Sequence, residues 1–282
     1  MSSISAINAD LHCHSVVSDG TLTPEELAQR AHANGVKLWS LTDHDELGGQ
    51  RRAKEAAAAL NMDYLAGVEI SVTWIGQTIH IVGLGIDPDD EGILGGLKRT
   101  REGRGDRAKQ MAEQLLKVGI PGAYEGALHY AGNHDLISRT HFARFLVEQG
   151  VCKDTEQVFK NYLIEDKPGY VPHRWADLDE AIGWIKSAGG EAVIAHPGRY
   201  KLNAIQRNEL FEFFKEHGGL GLEVITGSHS PDQYQEYGKI AKQYGFLASR
   251  GSDFHDPSES HIDLGTLPLL PEHLTPVWSV FH

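Results

Sequence analysis

Along this chain, side chains able to ligate metals recur directly after apolar, strand-like runs. His12 and His14 follow the opening INADL. Asp43 and His44 follow VKLWSLT, Glu69 sits near the end of MDYLAGVEIS, and His196 follows EAVIA. Glu223 lies within LGLEVITG, and Asp253 and His255 end FLASRGSDFH. Each site alone is more often a satisfied core histidine or a helix-capping acid. Their repetition at one structural position has a different meaning, because in a β/α barrel the loops after successive strands converge on one mouth. The pattern therefore predicts an α/β fold with a multinuclear metal site.

The segments between these runs are helix-like. TLTPEELAQRAHANG carries Thr23 as N-cap, Pro24 at the first helical position, Glu26 to complete a capping box and Gly35 as the stop. RRAKEAAAALN, residues 203–217 and residues 231–244 read as further helices, and Asp177 with Glu180 forms another capping box. SVTWIGQTIHIVGLGID reads as a hairpin turning at Gly76 and Gln77, with His80 on its return strand. From about residue 90 to 170 the strand rhythm stops, and GLKRTREGRGDRAKQMAEQLLKVG, SRTHFARFLVEQG and DTEQVFKNYL are helical in pattern. One large domain with a small helical insertion is the expected organisation.

At 282 residues, with 40% hydrophobic and 23% charged side chains, the chain can bury a full core. Its start lacks the basic and apolar regions of a signal peptide, and no stretch is apolar for the length of a membrane span, so a cytoplasmic location is expected. Cys13 and Cys152 form no thiolate metal motif, which leaves oxygen and imidazole as ligands. In His-x-His, alternation along an extended strand brings His12 and His14 to one face with Asp10 and turns Cys13 away. A net charge of −13 argues against duplex nucleic acid as a partner and requires local basic groups for any phosphate substrate.

The motifs DLHCHS, TDHD, GVEIS, IAHPG and GSDFH, in this order, resemble those of the polymerase and histidinol phosphatase (PHP) superfamily of metal-dependent phosphoesterases. The resemblance implies a distorted (β/α)7 barrel formed by residues 1–98 and 170–282, with a helical substrate-capping subdomain at 99–169. It implies up to three divalent cations, with Mn2+ expected and Mg2+, Fe2+ or Zn2+ as alternatives. The implied ligands are His12, His14, Glu69 and Asp253 for one ion and Asp19, His44 and His255 for a second. His80 and His196 would hold a third, bridged by Glu69. Mixed imidazole and carboxylate sets suit such cations. Asp10 and Asp43 are then expected to accept from ligand imidazoles. Glu223 and His229 are either structural or act in orienting water or protonating the leaving group. The catalytic set implied is Asp19, His44, Glu69, His255 and His229, with a metal-bridging hydroxide as nucleophile.

Arg101, Arg104 and Arg107 repeat at a spacing that brings them near one face of a continuous helix, and Arg139 and His141 form a second cationic cluster. Charge runs are usually solvated surface. Here they concentrate in the insertion of an acidic protein, and the guanidinium fork suits a phosphate that is held without being cleaved. REGR, SRTHFAR and KPGYV are similar to the branch of the superfamily that removes the 3'-phosphate from nucleoside 3',5'-bisphosphates, leaving a nucleoside 5'-monophosphate. That resemblance assigns Arg104, Arg107 and Arg139 to the 5'-phosphate, with Arg101 and His141 nearby and the 3'-phosphoryl group near Asp19 and His255. The main alternative is a 5'-3' exoribonuclease on short 5'-phosphorylated RNA. A histidinol phosphate phosphatase, an amidohydrolase and a noncatalytic nucleotide-binding module fit less well. Oligomeric state is left open.

Overall fold

A Thr23 cap with its Glu26 partner starts α1 (Pro24–Ala33), as its sequence predicts. The computed structural model describes residues 7–281. Around α1 the chain runs β1 (Ala9–Asp10), β2 (Leu38–Trp39), α2 (Gln50–Ala59), β3 (Asp63–Tyr64), β4 (Gly67–Trp74) and β5 (Gln77–Leu84). Helices α3 (Glu91–Arg101), α4 (Arg104–Lys117), α5 (Ala123–Tyr130), α6 (Arg139–Glu148) and α7 (Thr155–Val158) follow. Alternation then resumes through α8 (Leu178–Ser187), β6 (Glu191–Ile194), α9 (Ala204–Glu216), β7 (Gly221–Thr226), α10 (Pro231–Tyr244) and β8 (Leu247–Gly251). No helix among the described residues is long and apolar enough to cross a membrane.

The fold is mixed α/β. The described strands form two sheets, β1-β2-β3 and β4-β5-β6-β7-β8, rather than one closed ring. Backbone bonds cross both junctions. Leu11 N donates to Arg250 O and Asp253 N to His12 O along one, and Asp45 N donates to Glu69 O along the other. β5 runs antiparallel to both neighbours, while the remaining pairings in both sheets apart from β4-β5 and β5-β6 are parallel. The hairpin turn is Ile75-Gly76, one residue earlier than the sequence pattern suggests, because Gln77 already pairs with Trp74.

Three apolar clusters divide the interior. The largest packs β4–β8 against α8, α9 and α10, a second packs α1 and α2 around Trp39, and a third belongs to α4–α7. The long helix expected across 96–119 is broken. Gly103 adopts φ +88 between α3 and α4, a left-handed conformation that a side chain would strain. Arg101 therefore ends α3 while Arg104 and Arg107 lie on α4, and the three do not share one helical face.

Buried Arg250 on β8 fastens β1 to the chain beyond β8. Its guanidinium donates to the carbonyls of Ala9, Leu267 and Pro268 and to Asn8 Oδ1. Arg250→Met leaves those carbonyls without a donor. It is expected to lower the unfolding free energy by about 3 kcal/mol, read by urea denaturation monitored with circular dichroism.

Candidate metal and phosphate site

Glu69 is the hub of the site. It is fully buried on β4, and its Oε1 lies 2.8 Å from His80 Nδ1 and 2.9 Å from His196 Nε2. Its Oε2 lies 3.2 Å from the Nε2 atoms of both His12 and His14, and 3.0 Å from His44 Nδ1. Asp253 Oδ1 approaches the same two Nε2 atoms at 3.5 and 3.3 Å, and Asp19 Oδ1 lies 3.4 Å from His255 Nε2. Three groups thus bring ligand atoms within 4.8 Å of one another: His12, His14, Glu69 and Asp253; His14, Asp19, His44 and His255; and His44, Glu69 and His80. The first group coincides with the set expected for one ion. The second adds His14 to the expected set, and in the third His44 stands where His196 was expected.

The donor set fits divalent cations. His44 Nδ1 and Glu69 Oε2 are buried and close, yet neither makes a hydrogen bond, and Asp19 Oδ1 is also unsatisfied. Lone pairs that approach without bonding one another are arranged for a common electrophile, and ligands held ~2.1 Å from one ion sit ~3 Å apart. Electrostatics agree. Burial opposes charge on Asp19, yet His44 and His255 hold its carboxyl well below the usual range. Burial likewise opposes charge on His14, but the facing carboxylates of Asp253 and Glu69 raise its pKa to about 10. The cluster draws positive charge to itself, as protons or as cations.

The surrounding groups differ from the sequence expectation. Asp10 accepts from Ser252 N and Gly265 N, and Asp43 from Ser15 N and from the Ser15 and Ser18 hydroxyls. These bonds pin the loops carrying Asp253 and Asp19, so neither acid is the imidazole acceptor. Glu223 takes that part, with Oε1 2.8 Å from His12 Nδ1 and Oε2 accepting from His196 N. Both ring nitrogens of His229 face backbone, Nε2 accepting from Gly198 N and Nδ1 lying 3.2 Å from Val224 O. Burial pushes its pKa down to about 4, so the ring is neutral at physiological pH. Gly251 lets β8 approach: a Cβ there would meet His12 Cβ at 2.3 Å. Among the described residues, three of the six non-glycine residues with positive φ are Asp45, His196 and Asp253, which concentrates backbone strain around the cluster.

Beside the histidines opens a cavity of about 110 Å³, whose far wall is cationic: Arg104, Arg107, Arg139 and Arg199 line it. Burial and the neighbouring Arg139 and Arg104 push Arg107 down to about 9, a sign of concentrated positive charge. Arg104 and Arg107 both stack on Trp175, at 4.5 and 5.4 Å from the ring centroid, and Arg104 also pairs with buried Asp45. Arg104 Nε has no hydrogen-bond partner. Arg101 and His141 do not line the cavity. Arg101 donates to Asp45 O and pairs with Glu46, while His141 Nδ1 accepts from Ser138 N at the start of α6. Sequence reasoning missed Arg199, Trp175 and Phe159. For Arg199, its position three residues after a predicted ligand in IAHPGR was an available signal.

Because Glu69 belongs to two ligand groups and Asp19 to one, Glu69→Gln is expected to remove more bound divalent metal than Asp19→Asn, measured by plasma mass spectrometry on purified folded protein. Glu223→Gln keeps the direct ligands but loosens His12. It should weaken metal binding about 10–100-fold in a competitive chelator titration.

The sequence matches the profile of the PHP domain over residues 10–244. It is 49% identical to a 3',5'-nucleoside bisphosphate phosphatase of Chromobacterium violaceum, over 96% of this chain and 95% of the relative. A 5'-3' exoribonuclease of Haemophilus influenzae is 41% identical over 96% of this chain and 98% of its own length. A solved structure from Chromobacterium violaceum, described as an amidohydrolase with bound sulfate and no metal, superposes with a TM-score of 0.94. It is 49% identical and covers 96% of this chain and 95% of its own. With matches of this extent and with the ligand motifs gathered at one site, the chain belongs to the PHP domain family.

Proposed function

We propose that this protein is a metal-dependent phosphatase that hydrolyses the 3'-phosphate of nucleoside 3',5'-bisphosphates. The observation that carries the reading is the pairing of two unlike anion sites in one cavity, a histidine and carboxylate cluster on one side and a wall of arginines on the other. The Chromobacterium relative's activity supports it. Residues of all three ligand groups would hold divalent cations, up to three of them; the mixed nitrogen and oxygen donors suit Mn2+, Fe2+ or Zn2+. Such cations lower the pKa of water and neutralise charge on phosphoryl oxygens.

The chain's own residues supply position. Arg104, Arg107 and Arg139 grip the phosphate that is not cleaved, so its binding energy orients the one that is. Trp175 and Asp45 restrict Arg104 before substrate arrives, which reduces the ordering entropy of binding. Arg199, held 2.9 Å from Asp253 Oδ2, borders both the cluster and the cavity and is placed to meet a phosphoryl oxygen. Three of the cavity's arginines and Phe159 come from residues 99–169, which supports reading that segment as a substrate cap. The backbone bonds across both sheet junctions support a distorted barrel beneath it.

A second reading, exoribonuclease action on short 5'-phosphorylated RNA, has one observation in its favour. A cavity of about 300 Å³ adjoins the site through Asp253 and His255, and offers room for a nucleotide beyond the scissile phosphate. The two readings separate in a phosphate-release and product assay on Mn2+-loaded protein. Adenosine 3',5'-bisphosphate is expected to turn over at least tenfold faster than a 5'-phosphorylated dinucleotide, and the reverse order would replace the first reading with the second. Arg104→Ala or Arg139→Ala should raise KM for the bisphosphate by about 10- to 100-fold with metal content unchanged, since each removes a charge-assisted contact of about 1.5–3 kcal/mol.

A further inference from the structure

Phe159 occupies an unusual place. It is one of only two aromatic side chains other than histidine that line the site's cavities among the described residues, and it alone lines both. The other, Trp175, carries two arginines, Arg104 and Arg107, over its ring and donates from Nε1 to Thr78, whereas Phe159 carries one, Arg139. Phe159 opens a five-residue π-helical turn, Phe159–Leu163, where the chain departs from α-helical geometry directly after α7. Such turns recur at functional sites because they redirect one side chain without breaking the helix. The ring is only partly buried, packed at its base against the apolar cluster of α4–α7. Arg139 Cζ lies 5.8 Å from its centroid, so the arginine assigned to the uncleaved phosphate and the aromatic face share one wall.

We propose that Phe159 is the platform on which the nucleobase of the substrate stacks. The inference rests on the proposed bisphosphate phosphatase reading and adds a third point of recognition to it. With one phosphate on the arginines and the other at the ligand cluster, the base leaves the sugar toward the wall where the two cavities join. That junction is formed by Phe159, Thr140 and Arg199 together with Asp253 and His255. A phenyl face accepts every base, because stacking needs only a π surface, and it favours purines through their larger overlap. Nothing at the ring itself reads base edges. The expected behaviour is therefore a requirement for a base with weak discrimination among bases.

The test compares adenosine 3',5'-bisphosphate with 1-deoxyribose 3,5-bisphosphate, which keeps both phosphates and lacks the base. Wild-type protein, F159A, F159L and F159W are assayed for phosphate release. F159A and F159L should raise KM for the adenosine substrate about tenfold, the effect of losing one stacked base. They should leave kcat/KM for the abasic substrate within about twofold of wild type, while F159W retains wild-type KM. Equal losses on both substrates would make Phe159 a packing residue, and wild-type KM in F159L would remove the aromatic face; either result overturns the proposal. Calorimetric titration with adenosine 5'-monophosphate and with ribose 5-phosphate reads the base contribution without turnover. If the wild type cleaves neither bisphosphate, the phosphatase reading fails. Phe159-dependent preference for the nucleotide over the sugar phosphate still supports the platform, and its absence refutes it.

Discussion

A single buried carboxylate organises this molecule. Both oxygens of Glu69 face imidazoles, delivered by β5, by the loops after β1 and β6, and by the chain following β2. Burying a carboxylate and several histidines in an interior of low polarity is unfavourable unless each is answered by an opposite charge or an electrophile. That requirement explains the architecture around it. Glu69 and His80 converge from within β4 and β5 and the other groups from the loops after β1, β2, β6 and β8, and the strained backbone at Asp45, His196 and Asp253 is maintained by the packing beneath.

The acids that do not face the cluster hold its geometry. Asp43 gathers Ser15 and Ser18 and so sets the loop leading to Asp19, while Asp10 fastens the turn after β8 that carries Asp253. His229 does the same for Gly198, two residues beyond His196. Each uses its polar atoms on backbone or hydroxyl groups of a loop, which removes conformational freedom from a ligand loop and leaves the ligand itself free to bind.

The convergence was legible from sequence because it combines two independent signals, ligand-type side chains and their position after apolar runs. What lay one layer further out was not. Spacing shows that Asp10 and His12 alternate alike, but the strand assignment ends at Asp10, and the loop that follows decides which carboxylate meets which imidazole. Glu223 reaches His12 across 211 positions of sequence, a pairing no local pattern encodes. The arginine stripe failed at Arg101 for a local reason: Gly103 breaks the helix while Gly105 is accommodated in α4, and the two glycines in REGRGDR do not announce which is tolerated and which is a stop. Phe159 was hidden because an aromatic at helical spacing is ordinarily core, and its place on the cavity wall is seen only in the structure.

The insertion and the ligand loops are mechanically coupled. Arg144 of α6 donates to Asp19 O at 2.8 Å and forms a two-pronged pair with Glu259, at 3.1 and 3.0 Å, in the loop after His255. Ser138, at the cap of the same helix, donates to Asp19 Oδ2. Arg139 extends from the first position of that helix to the cavity wall. One short helix therefore lends an arginine to the cavity at its start while holding the loops of Asp19 and His255 along its side. A displacement of α6 that tightens the arginine wall must move Asp19 as well, so in the proposed reading recognition of one phosphate and alignment of the groups that receive the other are a single event. The same coupling accounts for placing the arginines on an insertion: a helix with its own apolar core is rigid enough to transmit position, where an isolated loop is not.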